Sequence, residues 1–326
     1  MKRRALLSSA TALAGAALAP QALAQAAAYP NKPIRVVVAW PPGSLIDVMV
    51  RIISEPLREI LKQPLVIDNK AGATGAIGAE IVANAAPDGY TLLFTSAALN
   101  MVTAMGTRQS FKVPDAFTPV LNLAWSPMVL VSHPSLGLKT PQDLLALSKS
   151  RNGNVFYATS GNGSPSHFTA ELFRVRTGMQ ATSVPFKGSP QAMTEQIAGR
   201  VDYHFAVSST ALPMVRDGRI TALAVTSRTR LPSAPNIPTM EELGYKDFGA
   251  RYWNGLLAPK GTPTEFTEKI AAAVNQVLAD KDVLAKLAPY ANEMDGKSTP
   301  RSFEALLRED LDNWVQVVKA ANIKPE

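Results

Sequence analysis

Short β-branched runs alternate along the chain with longer stretches in which apolar residues recur at helical spacing. "KPIRVVVAW" (32–40) reads as a buried strand, and "DVMVRIISEPLREILK" (47–62) after it as an amphipathic helix. "PLVIDN" (64–69), "AIGAEIVANA" (76–85) and "GYTLLFTS" (89–96) repeat the alternation, which predicts a parallel sheet with crossover helices. A second round follows: strands at 128–132, 154–160, 181–186, 201–207 and 220–227, with helices at 141–149, after residue 164 and at 190–198. This predicts a second α/β lobe. "TRLPSAPNIPTMEELG" (229–244), rich in proline and polar residues, reads as a long surface connection. Two further amphipathic helices carry Phe266, Ile270, Val274 and Leu278 on one face, and Phe303, Leu307, Trp314 and Val318 on another; both are expected to return to the first lobe.

Length agrees with two lobes, since 326 residues exceed one ordinary core and suit two domains of about 150 residues each. The start of the chain alters the picture. Lys2, Arg3 and Arg4 precede a small-residue apolar stretch that ends in Ala22-Leu23-Ala24, the pattern of an export signal cleaved near Ala24. Ser8, Ser9 and Thr11 interrupt the stretch, which is shorter than the ~20 apolar residues a membrane span needs. The twin arginine resembles a Tat signal, yet Lys2 stands where Ser or Thr is usual, so the Sec and Tat routes both fit. The mature chain is expected to be free in its compartment.

With no cysteine in the chain, disulfides, thiolate metal sites and an N-terminal lipid anchor are excluded. The formal charge of +7 falls to +4 once the three basic residues of the leader are removed. Basic residues are scattered rather than interleaved with aromatics, which argues against a nucleic-acid partner and leaves a small anionic solute compatible.

Two glycine-serine loops are the candidates for chemistry. In "VVVAWPPGSLID" a strand runs through Pro42 and Gly43 to Ser44 and Asp47, which have capping-box spacing; the helix start is either simply capped or also offers amides to an anion. "SGNGSPSHF" (160–168) repeats that logic, with Ser160, Gly161, Asn162 and Gly163 leading to Ser164 as N-cap, Pro165 at the first helical position, and His167 either touching a ligand or holding the loop. It lacks the glycines of a nucleophile elbow and the ending of a Walker loop. Gly72, Gly75 and Gly78 form a weak dinucleotide-like signal with no acidic residue closing a following strand, so close helix packing is their expected use. His133 reads as an exposed turn and His204 as a strand residue alternating with core; neither has metal-ligand spacing. Lys187, in "VPFKGSP", either adds positive potential or is solvated surface. Two such helix starts from different lobes, with no catalytic constellation, describe a receptor gripping a small anion.

Motifs along nearly the whole mature chain carry a family resemblance: "YPNKPIRVVV", "NKAGATGAIGAE", "APDGYTLLF", "YATSGNGSPSHFTAELF", "VPFKGSPQA", "GRVD", "LAVTSRTRLPSAPNIPTMEELG", "GLLAPKGTP" and "VVKAANIK". The chain resembles the periplasmic solute receptors of tripartite tricarboxylate transporters, the Bug-type proteins. The resemblance implies a two-lobed type II periplasmic-binding-protein fold, each lobe a mixed sheet flanked by helices, with a ligand cleft between lobes. Lobe 1 would comprise 25–124 and 249–326, and lobe 2 125–248, with crossings near Asn122–Ser126 and Phe248–Asn254. It further implies a monomer with no enzymatic activity, cofactor or metal, and delivery of a carboxylate to a membrane permease. Carried over by motif, first-lobe contacts fall on Trp40, Pro42, Gly43, Ser44, Leu45 and Asp47 and on Ser96 and Ala97. Second-lobe contacts fall on Ser160 to Ser164, His167, Lys187 and Ala206.

Departures from the family pattern bear on the ligand. Leu45 and Ile46 stand where hydroxyls are usual, Phe186 where tyrosine is usual, and Ala206 where an aspartate closes the strand motif. A buried polar ligand group left unpaired costs about 1–3 kcal/mol, so such a cleft penalises ammonium groups and extra hydroxyls. The expectation is a carboxylate with an apolar body, an aromatic acid near Trp40 being one form. Rival readings are a sensor reporting to a membrane kinase and an exported hydrolase built on Ser164 and His167, the latter disfavoured because capping occupies Ser164.

Overall fold

The alternation forms as read. β1 (Ile34–Val38), α1 (Leu45–Leu61), β2 (Leu65–Asn69), α2 (Ala76–Ala83), β3 (Thr91–Ser96) and α3 (Ala98–Ala104) build one half. β4 (Phe117–Ser132) leads out of it to α4 (Pro141–Ser150), β5 (Phe156–Thr159), α5 (Pro165–Thr177), β6 (Thr182–Pro185), α6 (Ser189–Ile197), β7 (Tyr203–Val207), α7 (Ser208–Arg216) and β8 (Thr221–Val225). β9 (Arg251–Pro259), α8 (Thr264–Leu278), α9 (Lys281–Leu287), β10 (Glu293–Met294) and α10 (Pro300–Ala321) return to the first half. The computed structural model describes residues 29–107, 110–246, 248, 250–290 and 293–324; the expected export leader, 1–24, lies outside them.

The strands follow the order β2-β1-β3-β9-β4-β7-β5-β6, with β10 and β8 also paired to β4. β1 pairs in parallel with β2 and β3, and β5 with β6 and β7. The parallel strands of the first half become part of a mixed sheet, as the family resemblance implies, because β9 enters between β3 and β4 and runs against both. Gly255 at the middle of β9 admits this close approach: a Cβ there would lie 2.7 Å from the Leu121 carbonyl oxygen and 2.5 Å from the Phe303 ring.

β4 sets the relation between the halves. Its first part, Phe117–Pro127, pairs with β9; from Met128 to Ser132 it pairs with β7. The changeover is pinned from the side. Thr226 Oγ1 accepts the Met128 N–H (2.8 Å) and donates to the Ala250 carbonyl (2.6 Å), and Asn254 Nδ2 donates to Ser126 Oγ (2.8 Å). β1 and β3 run with β4, whereas β5, β6 and β7 run against it, so the carboxyl ends of both strand sets converge on the changeover. Ser96 ends β3 level with Asn254 and hence with Ala124; Val207 ends β7 level with Met128. Those levels are four positions apart on β4, about 13 Å at a strand rise of ~3.3 Å per residue, which suits a small solute. Loops at converging carboxyl ends are where α/β sheets bind ligands.

One apolar cluster packs α1 and α8 against β1 and β3 through Val36, Ile53, Phe94 and Val274. A larger one runs through both halves, from Leu93 and Leu99 past Trp253, Phe303 and Trp314 to Phe168, Phe173 and Phe205. Of the amphipathic residues read in sequence, Ile270, Val274, Leu278, Phe303, Leu307 and Trp314 are buried, and Phe266 and Val318 pack partly buried at the edges.

His204 is a core residue, and burial pushes its imidazole down to about 4. An unfolded histidine titrates near 6.5, so between these values the unfolded chain binds the proton, and stability falls as pH drops through that window, by roughly 3 kcal/mol. His204→Leu is therefore expected to flatten the loss of stability between pH 6.5 and 4, as read by denaturant unfolding at several pH values.

Candidate functional site

The first loop is built on one carboxylate. After β1, a turn brings Ser44 N–H to the Pro41 carbonyl (3.2 Å), and Ser44 Oγ caps α1 by accepting the Asp47 N–H (3.3 Å). The Asp47 side chain does not complete a capping box on Ser44, whose N–H the turn has taken; it reaches one residue further and accepts the Gly43 N–H (2.8 Å). Its oxygens also accept from Arg51 Nε (2.9 Å) and Asn69 Nδ2 (2.9 Å). Burial alone would raise this carboxyl, but Arg51, the Gly43 N–H and Asn69 outweigh it and hold it below the ordinary aspartate value. Asn69 Nδ2 also donates to the Trp40 carbonyl (3.0 Å), tying the loop to the end of β2. Pro42 and Gly43 are exposed, Trp40, Ser44 and Leu45 half-buried; the Trp40 indole N–H has no partner among the described residues.

The second loop repeats the device with different side chains. Ser164 Oγ caps α5 by accepting the His167 N–H (3.3 Å), and His167 Nδ1 accepts the Gly163 N–H (3.2 Å), as Asp47 does for Gly43. Nδ1 is thus an acceptor within the loop, and Ser164 Oγ is a cap, so the pair is not arranged as nucleophile and base. Ser166, which the sequence reading passed over, joins the loop together: its Oγ accepts the Ser160 N–H (2.8 Å) and lies 3.1 Å from Ser160 Oγ and 3.0 Å from Ser164 Oγ. Gly161 donates its N–H to Thr159 Oγ1 (3.3 Å), and a Cβ at Gly163 (φ +72°) would meet Met105 Cε at 2.4 Å. That last approach brings the second-half loop against the end of α3 from the first half. Ser164→Ala is expected to cost about 1 kcal/mol through the lost cap, a fall in Tm of roughly 2–4 °C, checked by thermal unfolding.

The remaining candidates divide. Ser96 and Ala97 are buried at the end of β3, with the Ala97 N–H on the Trp253 carbonyl (3.0 Å). Lys187 is exposed beside the second loop, its N–H on Gln191 Oε1 (2.9 Å), with Phe186 half-buried next to it. Ala206 and Ile46 are buried in the core, the former with Val129 and Met193 and the latter with Met49 and Val50. Gly78 serves packing, as expected: a Cβ there would lie 3.0 Å from Ala39 Cα and from the Lys70 carbonyl oxygen. His133 Nδ1 accepts the Ser135 N–H (3.3 Å) in a turn. Among the described residues, no group of three His, Asp or Glu could hold a metal ion, and no helix is long and apolar enough to cross a membrane.

With this geometry in place, the comparisons are specific. The model of the tripartite tricarboxylate transporter family receptor matches residues 49–323. The chain is 35% identical to the protein BugT of Bordetella pertussis over 298 residues, 91% of each chain. Among solved structures, MatC from Rhodopseudomonas palustris with bound malate is 30% identical with a TM-score of 0.76, covering 89% of this chain and 100% of that one. The R. palustris protein Rpa4515 with adipate is 30% identical with a TM-score of 0.79, covering 91% and 100%. These relatives are solute-binding receptors rather than enzymes, and their fold is the two-lobed one described above. The chain belongs to the tripartite tricarboxylate transporter receptors, the Bug-type solute-binding proteins.

Proposed function

We propose that the chain, exported to the periplasm with its leader cleaved near Ala24, works as a monomer that captures a small carboxylate with an apolar body. It holds the solute between lobe 1 (25–124 and 249–326) and lobe 2 (125–248), and delivers it to a tripartite tricarboxylate-type membrane permease. The observation that carries this reading is the pair of capped helix starts, α1 and α5, at strand ends that converge on the β4 changeover. Helix starts with spare N–H groups favour anions. On α1 the Leu45 and Ile46 N–H groups have no partner among the described residues. Asp47 and His167 act as scaffolds that spend their acceptors inside the loops, so the solute's charge meets amides rather than a bare carboxylate. The bound malate of MatC and adipate of Rpa4515 support a small carboxylate.

The apolar preference rests on Trp40, Leu45 and Phe186, which are half-buried, since Ile46 and Ala206 belong to the core. A solute ammonium or hydroxyl set against these side chains loses its partner, at about 1–3 kcal/mol, or a five- to 150-fold weaker Kd. Calorimetric titration with adipate, benzoate and terephthalate against aspartate and citrate tests the reading. Binding of an apolar-bodied acid at least five-fold tighter than aspartate or citrate is expected; tight aspartate or citrate binding with no response to the other acids would refute it.

A further inference from the structure

Away from both loops, the partly buried Asp310 of α10 gathers three N–H donors and, among the described residues, no cation. Its Oδ2 accepts from Asn100 Nδ2 (2.8 Å) and Trp253 Nε1 (2.8 Å), and its Oδ1 accepts from Trp314 Nε1 (2.8 Å). Each donor leads to the candidate cleft. Asn100 lies in the first turn of α3, directly after Ser96 and Ala97, and the Trp253 carbonyl holds the Ala97 N–H. Trp314 stacks on Tyr252 (5.8 Å, 13°) and meets Phe168 edge-on (5.2 Å, 90°). Tyr252 Oη donates to the carbonyl of Pro165, the first residue of α5 (2.8 Å), and touches the Thr169 hydroxyl. One carboxylate thus joins the segment after β3, the crossing strand β9 and the helix start of the second lobe.

Neither an amide nor an alkyl group reproduces this arrangement. An asparagine would turn its own N–H groups toward one of the donors, and an alanine would leave two indole N–H groups unpaired and Asn100 Nδ2 with only the Leu307 carbonyl (2.9 Å). A buried ionic group that costs stability but fixes one geometry is a known specificity device.

We propose that Asp310 is a positioning residue for the solute cleft, setting the lobe 1 segment Ser96–Ala97 and the start of α5 in one relative arrangement through Asn100, Trp253 and Trp314. The inference rests on the cleft lying between these two segments. Burial pushes the Asp310 carboxyl up to about 6 against the pull of the three donors, and Glu309 on the same helix pushes it the same way. Of the elements packed around it, α3 and β4 carry no titratable residue, β9 carries Arg251 and Tyr252 beside Trp253, α8 carries Glu265, Glu268 and Lys269, and α5, beyond Trp314, carries His167, Glu171, Arg174 and Arg176.

The test needs no solute. In ¹⁵N-labelled protein, the indole N–H resonances of Trp253 and Trp314 are expected to shift together with one midpoint near pH 6. Asp310→Asn should abolish that shared step, and Trp314→Phe should raise the midpoint seen at Trp253, because a donor favouring the anion is lost. Because the chain has no cysteine, Glu59→Cys with Lys149→Cys, on exposed faces of α1 and α4, takes one spin label per lobe. The distance distribution between labels should broaden below the midpoint, and at pH 7.5 in Asp310→Asn and Asp310→Ala. Indoles that do not move between pH 4.5 and 8, or a distribution unchanged in folded variants, would overturn the proposal. Failure of every carboxylate to bind would strike the proposed function and leave these readouts standing.

Discussion

Asp47→Ala is expected to cost about 2–4 kcal/mol of stability and to weaken carboxylate capture by ~100-fold or more. Three groups lose their acceptor at once: the Gly43 N–H, Asn69 Nδ2 and the Arg51 guanidinium. Arg51 is half exposed, so its ion pair contributes little by itself, and the loss comes chiefly from the two loop contacts. Without them the turn Pro41–Ser44 keeps only the contact of Asn69 with the Trp40 carbonyl to the end of β2, and the α1 amides lose their place. Asp47→Asn, which keeps one acceptor oxygen, should lose less on both measures. Because the folded carboxyl is held below its ordinary value, its contribution is present above the unfolded value of about 3.9 and is lost as pH falls through the lower folded value. The acid limb of the stability profile should therefore be shallower in Asp47→Ala. Denaturant unfolding and calorimetric titration of the same samples separate the two effects.

Gly255→Ala is expected to be the most damaging glycine-to-alanine change among the described residues. The added Cβ would lie 2.7 Å from the Leu121 carbonyl oxygen and within 2.8 Å of two Phe303 ring atoms. Phe303 is fully buried and edge-packed on Trp253, so the ring has little room to turn. Relief must come from moving β9 away from β4 or α10 away from the sheet. Overpacking of this kind costs about 1–3 kcal/mol and occasionally more, a fall in Tm of roughly 6–12 °C if it reaches 3 kcal/mol. Because β9 carries Tyr252, Trp253 and Asn254 at the changeover, solute affinity should fall with it, whereas Gly43→Ala, with nothing within 4 Å of its Cβ, should strain only its own turn.

Local signals made much of this legible in the sequence. Strand and helix periods placed β1, α1, β3, β5, α5 and the two C-terminal amphipathic helices, and Ser44 and Ser164 were readable as caps because capping depends on residues three apart. The first eleven residues of β4, Phe117–Pro127, were not: Pro119, Asn122, Ser126 and Pro127 break the strand pattern, and the chain accommodates them with register shifts beside Pro119 and Asn122. β9 reads from the sequence only as a crossing, since Asn254 and Gly255 interrupt its apolar run. α7 carries Pro213 in its interior and was not foreseen. In the site, Ser166 sat in plain view within "SGNGSPSHF", yet its central place depends on the turn that folds it back on Ser160. Tyr252 left no local trace, because its partner Pro165 lies 87 residues away, and of the three donors to Asp310 only Trp314 is local, Trp253 and Asn100 lying 57 and 210 residues away.

A crystal structure grown with adipate or benzoate examines the grip itself. The account predicts a carboxylate within hydrogen-bonding distance of the Leu45 and Ile46 amides at the start of α1, its apolar body against Trp40 and Leu45, and the loop of Ser160 to Ser164 closing the far side. A solute held away from both helix starts, or bound through side-chain cations alone, would contradict it.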